Sequence, residues 1–222
     1  MKSFDPIWND IYGKGQQLNK YPYSSIVSFI FSRAKPIKQD GSQTEILEIG
    51  CGAANNLWFA AREGFAVTGL DASEAALDFA RQRFAEDGLK GKFDLGDFTD
   101  LPYSDDQFDI AFERSALNQT PKTSARKAVS EIFRVLKPGA LFYAEISSDR
   151  GTVRGTKNSD GLMTNVEGPY SGYGQVCFYS KKEIENLFDG LLKIKSLDHT
   201  ETHTQLSDPI EVLAHWSILA IK

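Results

Sequence analysis

Apolar residues along the chain form short runs, separated by longer stretches in which they recur at helical spacing. Five runs have the length and composition of strands, namely Glu45–Ile49, Phe65–Leu70, Lys92–Leu95, Phe108–Phe112 and Ala140–Ile146. Helical spacing follows three of these runs, over residues 53–63, from Ser73 to Gly88, and from Thr120 to Leu136. This alternation of strand and helix predicts a parallel sheet with helices on both faces.

The C-terminal residues predict a different connection. Two further strand-like runs, Leu191–Thr200 and Ile210–Ile221, are separated only by a short loop around Pro209. A parallel connection needs about a dozen residues or more, so these two strands should form an antiparallel hairpin. The sequence therefore predicts an α/β fold with a Rossmann-like, doubly wound and mostly parallel seven-stranded sheet that has an antiparallel C-terminal strand.

The stretches outside this core divide the chain further. Residues 1–43 are predicted to be an N-terminal capping segment, and residues 44–146 the core that carries the ligand site. Residues 147–178 are rich in glycine and lack any amphipathic period, which is typical of a functional loop without regular structure, here a substrate loop. A capping box at Ser180 opens residues 179–222, a C-terminal helix and hairpin. We therefore expect a single domain over residues 1–222.

Charge and composition exclude several classes of function. Lys and Arg total 25 against 30 Asp and Glu, a net charge of -5, which argues against non-specific nucleic-acid binding. Two distant cysteines and three histidines predict neither a disulfide framework nor a metal site. The N-terminus lacks a signal-peptide pattern, and the longest apolar stretch, Ile26–Phe31, is too short to span a bilayer. The expectation is a cytoplasmic monomer or homodimer with no nucleic-acid or membrane partner.

The candidate chemistry lies where the predicted strands end, because ligands of such sheets bind beyond the carboxyl ends of the strands. The turn Gly50-Cys51-Gly52 allows close backbone approach to a ligand, and Asp71 follows at the offset of an acid that binds ribose hydroxyls. Asn55 replaces the third glycine of a dinucleotide fingerprint. The acids of this cleft favour a cation, or ribose and amine donors, over a pyrophosphate. They are Glu48, Asp71, Asp97 and Glu113.

Five motifs occur in order at ordinary separations. They are Leu47-Glu-Ile-Gly-Cys-Gly-Ala53, Gly69-Leu-Asp-Ala-Ser73, Gly96-Asp-Phe98 with Leu101-Pro102, Phe108-Asp-Ile110, and Arg134-Val-Leu-Lys-Pro-Gly139. In these motifs, residues 44–146 resemble the core of the class I S-adenosylmethionine-dependent methyltransferases. The closing antiparallel strand agrees with the sheet of that family.

The resemblance implies a role for each matching position toward S-adenosylmethionine, whose product is S-adenosylhomocysteine. The glycine turn, including Cys51, would line the methionine part, and Glu48 would order the turn and the amino end. Asp71 would bind both ribose hydroxyls, and Ala72 would lie near the adenine. The remaining implied contacts are Asp97 with the adenine amine, Phe98 beside the ring, and the stretch Glu113–Ser115 at the border of methionine and acceptor.

The aromatic pair Trp8 and Tyr12 falls at helical spacing and has two interpretations. One is a packing pair of a helix, and the other is a lid over the cofactor, which makes Tyr12 a candidate cofactor-binding residue. Similarly, Cys51 could be a small buried filler, since nothing near it in sequence lowers the pKa of its thiol.

The catalytic residues and the acceptor are less well defined by the sequence. Asn118-Gln119 stands where many relatives have a histidine pair, so a histidine base at that position is absent. The weak candidates for a catalytic group are Glu113, Tyr170 and His203, whereas His199 is expected on a solvated edge and His215 in a structural position. The hypothesis is in-line methyl transfer to a small polar metabolite, mainly by proximity.

Alternatives remain open at this point. A phosphorylated or carboxylate acceptor could be held by Arg150, Arg154 and Lys157, and a small thiol is a competing acceptor. A nicotinamide-dependent oxidoreductase is disfavoured by Asn55 and the acidic cleft. A non-catalytic, cofactor-binding partner subunit is the third alternative.

Overall fold

Residues 4–222 are described by the computed structural model of the chain. The α-helices are α1 (Ile7–Gly13), α2 (Ser24–Arg33), α3 (Asn55–Arg62), α4 (Glu74–Glu86), α5 (Lys122–Val135) and α6 (Lys181–Phe188). The strands are β1 (Glu45–Ile49), β2 (Ala66–Asp71), β3 (Lys92–Leu95), β4 (Phe108–Arg114), β5 (Leu136–Ser147), β6 (Arg154–Lys157), β7 (Leu162–Glu167), β8 (Val176–Cys177), β9 (Lys193–Thr204) and β10 (Glu211–Ile221).

Seven of these strands form one sheet in the order β3-β2-β1-β4-β5-β10-β9. Strands β1 to β5 pair in parallel, whereas β10 is antiparallel to both β5 and β9. The predicted α/β fold, with its mostly parallel seven-stranded sheet and its reversed C-terminal strand, is confirmed. The order turns at β1, so the carboxyl ends of β1, β2 and β4 meet at a switch point.

Local signals in the sequence set several element boundaries. The Ser73 hydroxyl accepts a hydrogen bond from the Ala76 N–H at 3.2 Å and begins α4. A capping box between Ser180 and Glu183 begins α6 as predicted. Strand β5 begins at Leu136 rather than at Ala140, because the chain passes from α5 directly into extended backbone.

Two apolar layers cover the faces of the sheet. Helices α5 and α6 cover one face, where Leu47, Phe142, Phe188 and Ile218 are fully buried. Helices α2, α3 and α4 cover the other face, with Ile46, Ile110 and Leu57 among the buried residues. Because strand side chains alternate between faces, four polar residues lie on this second face, at the carboxyl ends of the parallel strands. They are Glu48, Arg114, Glu145 and His215.

The prediction that residues 147–178 lack regular structure is wrong. They form a second, three-stranded sheet in the order β6-β7-β8, with its own small core of Val166, Tyr170, Val176 and Phe178. An Asn158 side chain closes the β6–β7 turn by accepting from the N–H groups of Asp160 and Leu162. Only two residues of β7 are buried, so exposed polar residues between them hide the strand pattern. Within residues 4–222, no helix is long and apolar enough to cross a membrane.

Candidate active site

A cavity of about 750 Å³ opens at the carboxyl ends of β1, β2, β4 and β5. Helix α1 and the segment around Pro169–Tyr173 cover it, and the beginning of β10 closes its far side. We call the part beside β1 and β2 the cofactor half and the part beside β4, β5 and β10 the acceptor half. The cofactor half is lined by Glu48, Gly50, Cys51, Gly52, Asp71, Ala72, Asp97 and Phe98, and the acceptor half by Tyr23, Arg114, Glu145, Ser147, Tyr170 and His215.

The turn after β1 leaves no room for a side chain at Gly50 or at Gly52. Gly50 and Gly52 have φ values of +64° and +51°, which favour glycine. A Cβ on Gly50 would lie 2.5 Å from the Cβ of Ala116, and one on Gly52 would collide with the Tyr12 hydroxyl. The backbone therefore approaches both neighbours closely, and the cavity floor at this turn is bare main chain.

Asp71 holds the turn and also lines the cavity. Its carboxylate accepts from the Gly52 N–H at 2.8 Å and from the Ser73 N–H at 2.9 Å. Burial raises the pKa of Asp71, while its hydrogen bonds from backbone N–H groups oppose that rise. A carboxylate so placed has lone pairs left for ligand hydroxyls.

Glu48 has a buried oxygen without a partner. Its Oε1 accepts from the Asn56 side-chain amide at 2.7 Å, whereas Oε2 has no hydrogen-bond partner among the described residues. Burial raises the pKa of Glu48 to about 8. A positively charged donor in the cavity would satisfy Oε2 and favour the ionised carboxylate.

The other predicted cofactor residues lie along the same wall. Ala72 and Phe98 line the cavity together with Asp97, whose carboxylate accepts from the Thr99 N–H at 2.9 Å. Cys51 is buried, and its sulfur fills the space beside Gly69. Burial raises the pKa of the Cys51 thiol well above its ordinary value, which fits a packing role and not a nucleophile.

Helix α1 lies over the cofactor half. The Asn9 side-chain oxygen accepts from the Ser73 hydroxyl and from the Ala75 N–H, both at 3.2 Å, so α1 is tied to the start of α4. Trp8 contacts Tyr12 with ring centroids 5.9 Å apart and stacks on Tyr173 at 5.8 Å. The two aromatic residues are thus a helical pair and also part of the cavity wall. Burial and the nearby Asp71 charge raise the pKa of Tyr12.

The acceptor half is built around an ion pair. Arg114 Nε lies 3.0 Å from Glu145 Oε2, and the Tyr23 ring centroid lies 3.4 Å from the Arg114 guanidinium carbon. The Tyr143 hydroxyl donates to Glu145 Oε1 at 3.0 Å. His215 lies on the same face as this pair, two residues along β10 from Ser217, the partner of Glu145 in the sheet.

Sequence reasoning missed Tyr23 and Glu145, included Arg114 only within the stretch Glu113–Ser115, and interpreted His215 as structural. The available signal was the strand alternation: Arg114, Glu145 and His215 continue the apolar positions of β4, β5 and β10 at a spacing of two. Tyr170, a predicted catalytic candidate, does line the cavity, and its hydroxyl donates to the Ala214 carbonyl at 3.3 Å.

Two predicted catalytic candidates lie outside the cavity. Glu113 is fully buried on the opposite face, where its carboxylate accepts from the Ala116 N–H at 2.8 Å and the Leu117 N–H at 3.1 Å. It therefore shapes the loop after β4 instead of contacting an acceptor, and burial raises its pKa to about 8. His203 is exposed near the end of β9 and contacts Glu201 at 3.3 Å.

The basic residues considered for a phosphate group do not converge on the cavity. Arg154 pairs with Glu211 at 2.7 Å, and Arg150 lies 4.0 Å from Glu201. Neither of them lines the cavity, and nor does Lys157. Within residues 4–222, no group of three or more His, Cys, Asp or Glu side chains could hold a metal ion.

Comparison with known families indicates the class of protein to which this domain is similar. The family described as "Methyltransferase domain" matches residues 46–139, which run from β1 into β5. "Methyltransferase phqN" of Penicillium fellutanum is 31% identical over 184 residues, 77% of this chain and 54% of that protein. "Sterol methyltransferase-like 2" of Botryococcus braunii is 40% identical over 111 residues, 48% of this chain and 28% of that protein. The chain spans about half or less of the length of these curated relatives.

Solved structures share the fold at low sequence identity. A SAM-dependent methyltransferase from Methanosarcina mazei has a TM-score of 0.69 at 22% identity, covering 91% of this chain and 98% of that one. The 1,6-didemethyltoxoflavin-N1-methyltransferase of Burkholderia thailandensis, solved with S-adenosylhomocysteine bound, has a TM-score of 0.66 at 15% identity. That match covers 96% of this chain and 84% of the other.

The fold and these matches together define a Rossmann-like methyltransferase domain. Residues 46–139 match the methyltransferase domain family, and the fold is shared with a solved methyltransferase that depends on S-adenosylmethionine. The cofactor half fits this molecule: a buried carboxylate oxygen of Glu48 without a partner suits its ammonium group, and Asp71 suits ribose hydroxyls.

Proposed function

We propose that this protein transfers the methyl group of S-adenosylmethionine to a small polar organic molecule bound in the acceptor half. When bound, the cofactor supplies an electrophilic methyl group on a sulfonium. Glu48 and Asp71 would hold its methionine and ribose, while the bare turn at Gly50 and Gly52 lets it lie against the main chain. Orientation of this kind can supply about 7–11 kcal/mol of a reaction barrier.

The observation that supports this proposal best is the continuity of the cavity. One continuous space of about 750 Å³ joins the acids of the cofactor half to the polar and aromatic side chains of the acceptor half. Residues of helix α1 and the residues around Tyr173 line this space and contact each other through the Trp8–Tyr173 stack, so they would shield a bound donor and acceptor from part of the solvent.

The acceptor half also limits the acceptor. Among the described residues that line the cavity, Arg114 is the only lysine or arginine. It forms an ion pair with Glu145. A phosphate would therefore find no free cluster of positive charge, and we propose an acceptor without one. The sterol methyltransferases among the relatives match over less than half of their own length, so their named substrates do not define this pocket.

Two alternative functions, a nicotinamide-dependent enzyme and a non-catalytic partner subunit, can be tested with the same ligands. A nicotinamide cofactor would need room and positive charge for a pyrophosphate, whereas Asn55 here is buried and donates to the Tyr21 carbonyl at 2.9 Å. A partner subunit without turnover would bind S-adenosylhomocysteine but transfer no methyl group to any acceptor.

Calorimetric titration with S-adenosylhomocysteine, with NAD as the comparison ligand, tests the proposal. We expect micromolar binding of the first ligand and none of the second. Asp71→Asn should weaken binding, while Asp160→Asn, at an exposed turn of the second sheet, should not. Binding of NAD in preference to S-adenosylhomocysteine would contradict the proposal.

A further inference from the structure

We propose that His215 is the general base of the reaction and takes a proton from a phenol-type hydroxyl group of the acceptor. This inference rests on the proposed methyl transfer and adds to it the catalytic residue and the chemical class of the acceptor.

The position of His215 is the first observation. It lies near the start of β10, pairs with Ser147 of β5 and lines the acceptor half. Arg114 and Glu145 occupy the same face of the neighbouring strands. A base at this place reaches the cavity from the side opposite the cofactor half, which is the side from which an acceptor must approach.

Its free imidazole is the second observation. No hydrogen bond joins the ring of His215 to any side chain or main-chain group within residues 4–222, although the residue is half-buried. In contrast, His199 Nε2 lies 2.8 Å from the Ser148 hydroxyl and its ring is 4.3 Å from Trp216. Of the three histidines, His215 alone has a ring that both lines the cavity and is left for a ligand.

The charges around His215 suit a base. Burial is the main cause that lowers the pKa of His215 below 6.5, and the positive Arg114 on β4 and His199 on β9 act in the same direction. Glu145 on β5 opposes them and would stabilise an imidazolium once it forms. Tyr170 also faces this end of β10, with its hydroxyl on the Ala214 carbonyl. The ring is therefore neutral near pH 7 and can accept a proton.

Hydroxyl acceptors are the ones that need such a group, because their oxygen is a weak nucleophile until the proton leaves. A ring nitrogen of His215 takes the hydroxyl proton while the acceptor oxygen forms a bond to the methyl carbon. The carbon–sulfur bond breaks with its electron pair on sulfur, which gives S-adenosylhomocysteine, and the imidazolium then loses its proton to water. Aromatic side chains from Tyr23, Tyr170 and Tyr173 line the same space and suit a flat acceptor.

The test compares His215→Asn with His199→Asn, a matched change at the histidine already bonded to Ser148. Both proteins and the wild type are assayed with radiolabelled S-adenosylmethionine and a panel of phenols and catechols of graded acidity. We expect His215→Asn to lower kcat by about 10²–10⁴-fold and to remove the acidic limb of the pH profile. The loss should be smallest for the most acidic phenols, and His199→Asn should keep the limb.

Two readouts do not depend on turnover. S-adenosylhomocysteine should bind His215→Asn within twofold of wild type, which shows that the fold and cofactor half are intact. Nitrogen-15 NMR of the imidazole rings in that complex should show one histidine titrating below pH 6.5, absent from His215→Asn and present in His199→Asn.

The results that would contradict the role of His215 differ from those that would contradict the proposed function. Equal kcat values for His215→Asn and wild type, or no turnover of any hydroxyl acceptor by a wild type that binds S-adenosylhomocysteine, would overturn the role of His215 and leave the cofactor proposal standing. Failure of the wild type to bind S-adenosylhomocysteine would overturn the proposed function itself.

Discussion

The two halves of the cavity are built in different ways. The cofactor half is formed at the ends of three successive strands, β1, β2 and β3. Main-chain atoms and one acidic residue from each strand end form its surface. The acceptor half joins residues far apart in the chain, from Tyr23 ahead of α2 to His215 in β10. The cofactor half is thus built from local motifs, whereas the make-up of the acceptor half depends on which strands become neighbours.

The largest effect should follow a change of the glycine turn. Gly50→Val adds a side chain at a φ of +64° directly against Ala116, so we expect the affinity for S-adenosylhomocysteine to fall by more than about 100-fold. Gly139→Val is the control, since Gly139 has a φ of +79° with nothing within 4 Å of an added Cβ. Comparable binding by the two variants in calorimetry would contradict the close approach at Gly50.

Next in size is the change of Glu48. Glu48→Gln replaces the free carboxylate oxygen by a neutral amide, and a hydrogen bond to a charged group contributes about 1.5–3 kcal/mol. We therefore expect S-adenosylhomocysteine to bind roughly 10- to 100-fold more weakly, measured by calorimetry. Because the pKa of Glu48 is raised to about 8, wild-type binding at pH 7 should also release a proton as the carboxyl ionises.

Buffers with different ionisation enthalpies measure that proton release, and the Glu48→Gln variant should lose it. Unchanged affinity and unchanged proton release in the variant would mean that Glu48 does not face the ammonium group of the ligand.

Glu113 supports the loop between the two halves, and its effect should be on stability. Its folded-state pKa of about 8 lies above the ordinary 4.5, so the folded protein binds more protons between these values and its stability falls as pH rises through this window. Glu113→Gln should reduce the loss of unfolding free energy between pH 6 and pH 8 by about 1 kcal/mol or more. Urea unfolding at both pH values measures it.

For Glu113, the control is Glu63→Gln, which removes an exposed carboxylate at the end of α3. A Glu113→Gln protein that loses as much stability between the two pH values as wild type would contradict the buried, protonated carboxyl.

The smallest effect on ligand affinity should come from a change in the residues that cover the cavity. Tyr173→Leu removes the ring that stacks on Trp8 of α1, and aromatic pairs contribute about 0.5–1.5 kcal/mol beyond their burial. We expect S-adenosylhomocysteine affinity to fall by less than about tenfold. Phe31→Leu, in an aromatic pair with Phe59 outside the cavity, should leave the affinity unchanged.

The same contrast explains what the sequence could predict. Strand ends, helix caps and the turn at Gly50 are local signals, so the sheet, its reversed last strand and the cofactor half followed from them. Arg114 and Glu145 meet only because β4 pairs with β5, and no local pattern marks that contact. The small sheet of residues 154–177 was missed because its short strands bury few side chains. Glu113 lies at the predicted end of β4, but its side chain points to the face opposite the cavity.

The central claim is that one cavity holds the cofactor and the acceptor in separable halves. Calorimetric titration of S-adenosylhomocysteine into wild type, Glu48→Gln and His215→Asn tests it most directly. We predict micromolar binding to wild type, binding at least about tenfold weaker to Glu48→Gln, and binding within twofold of wild type to His215→Asn. Equal weakening by both variants, or no binding to the wild type, would contradict the account.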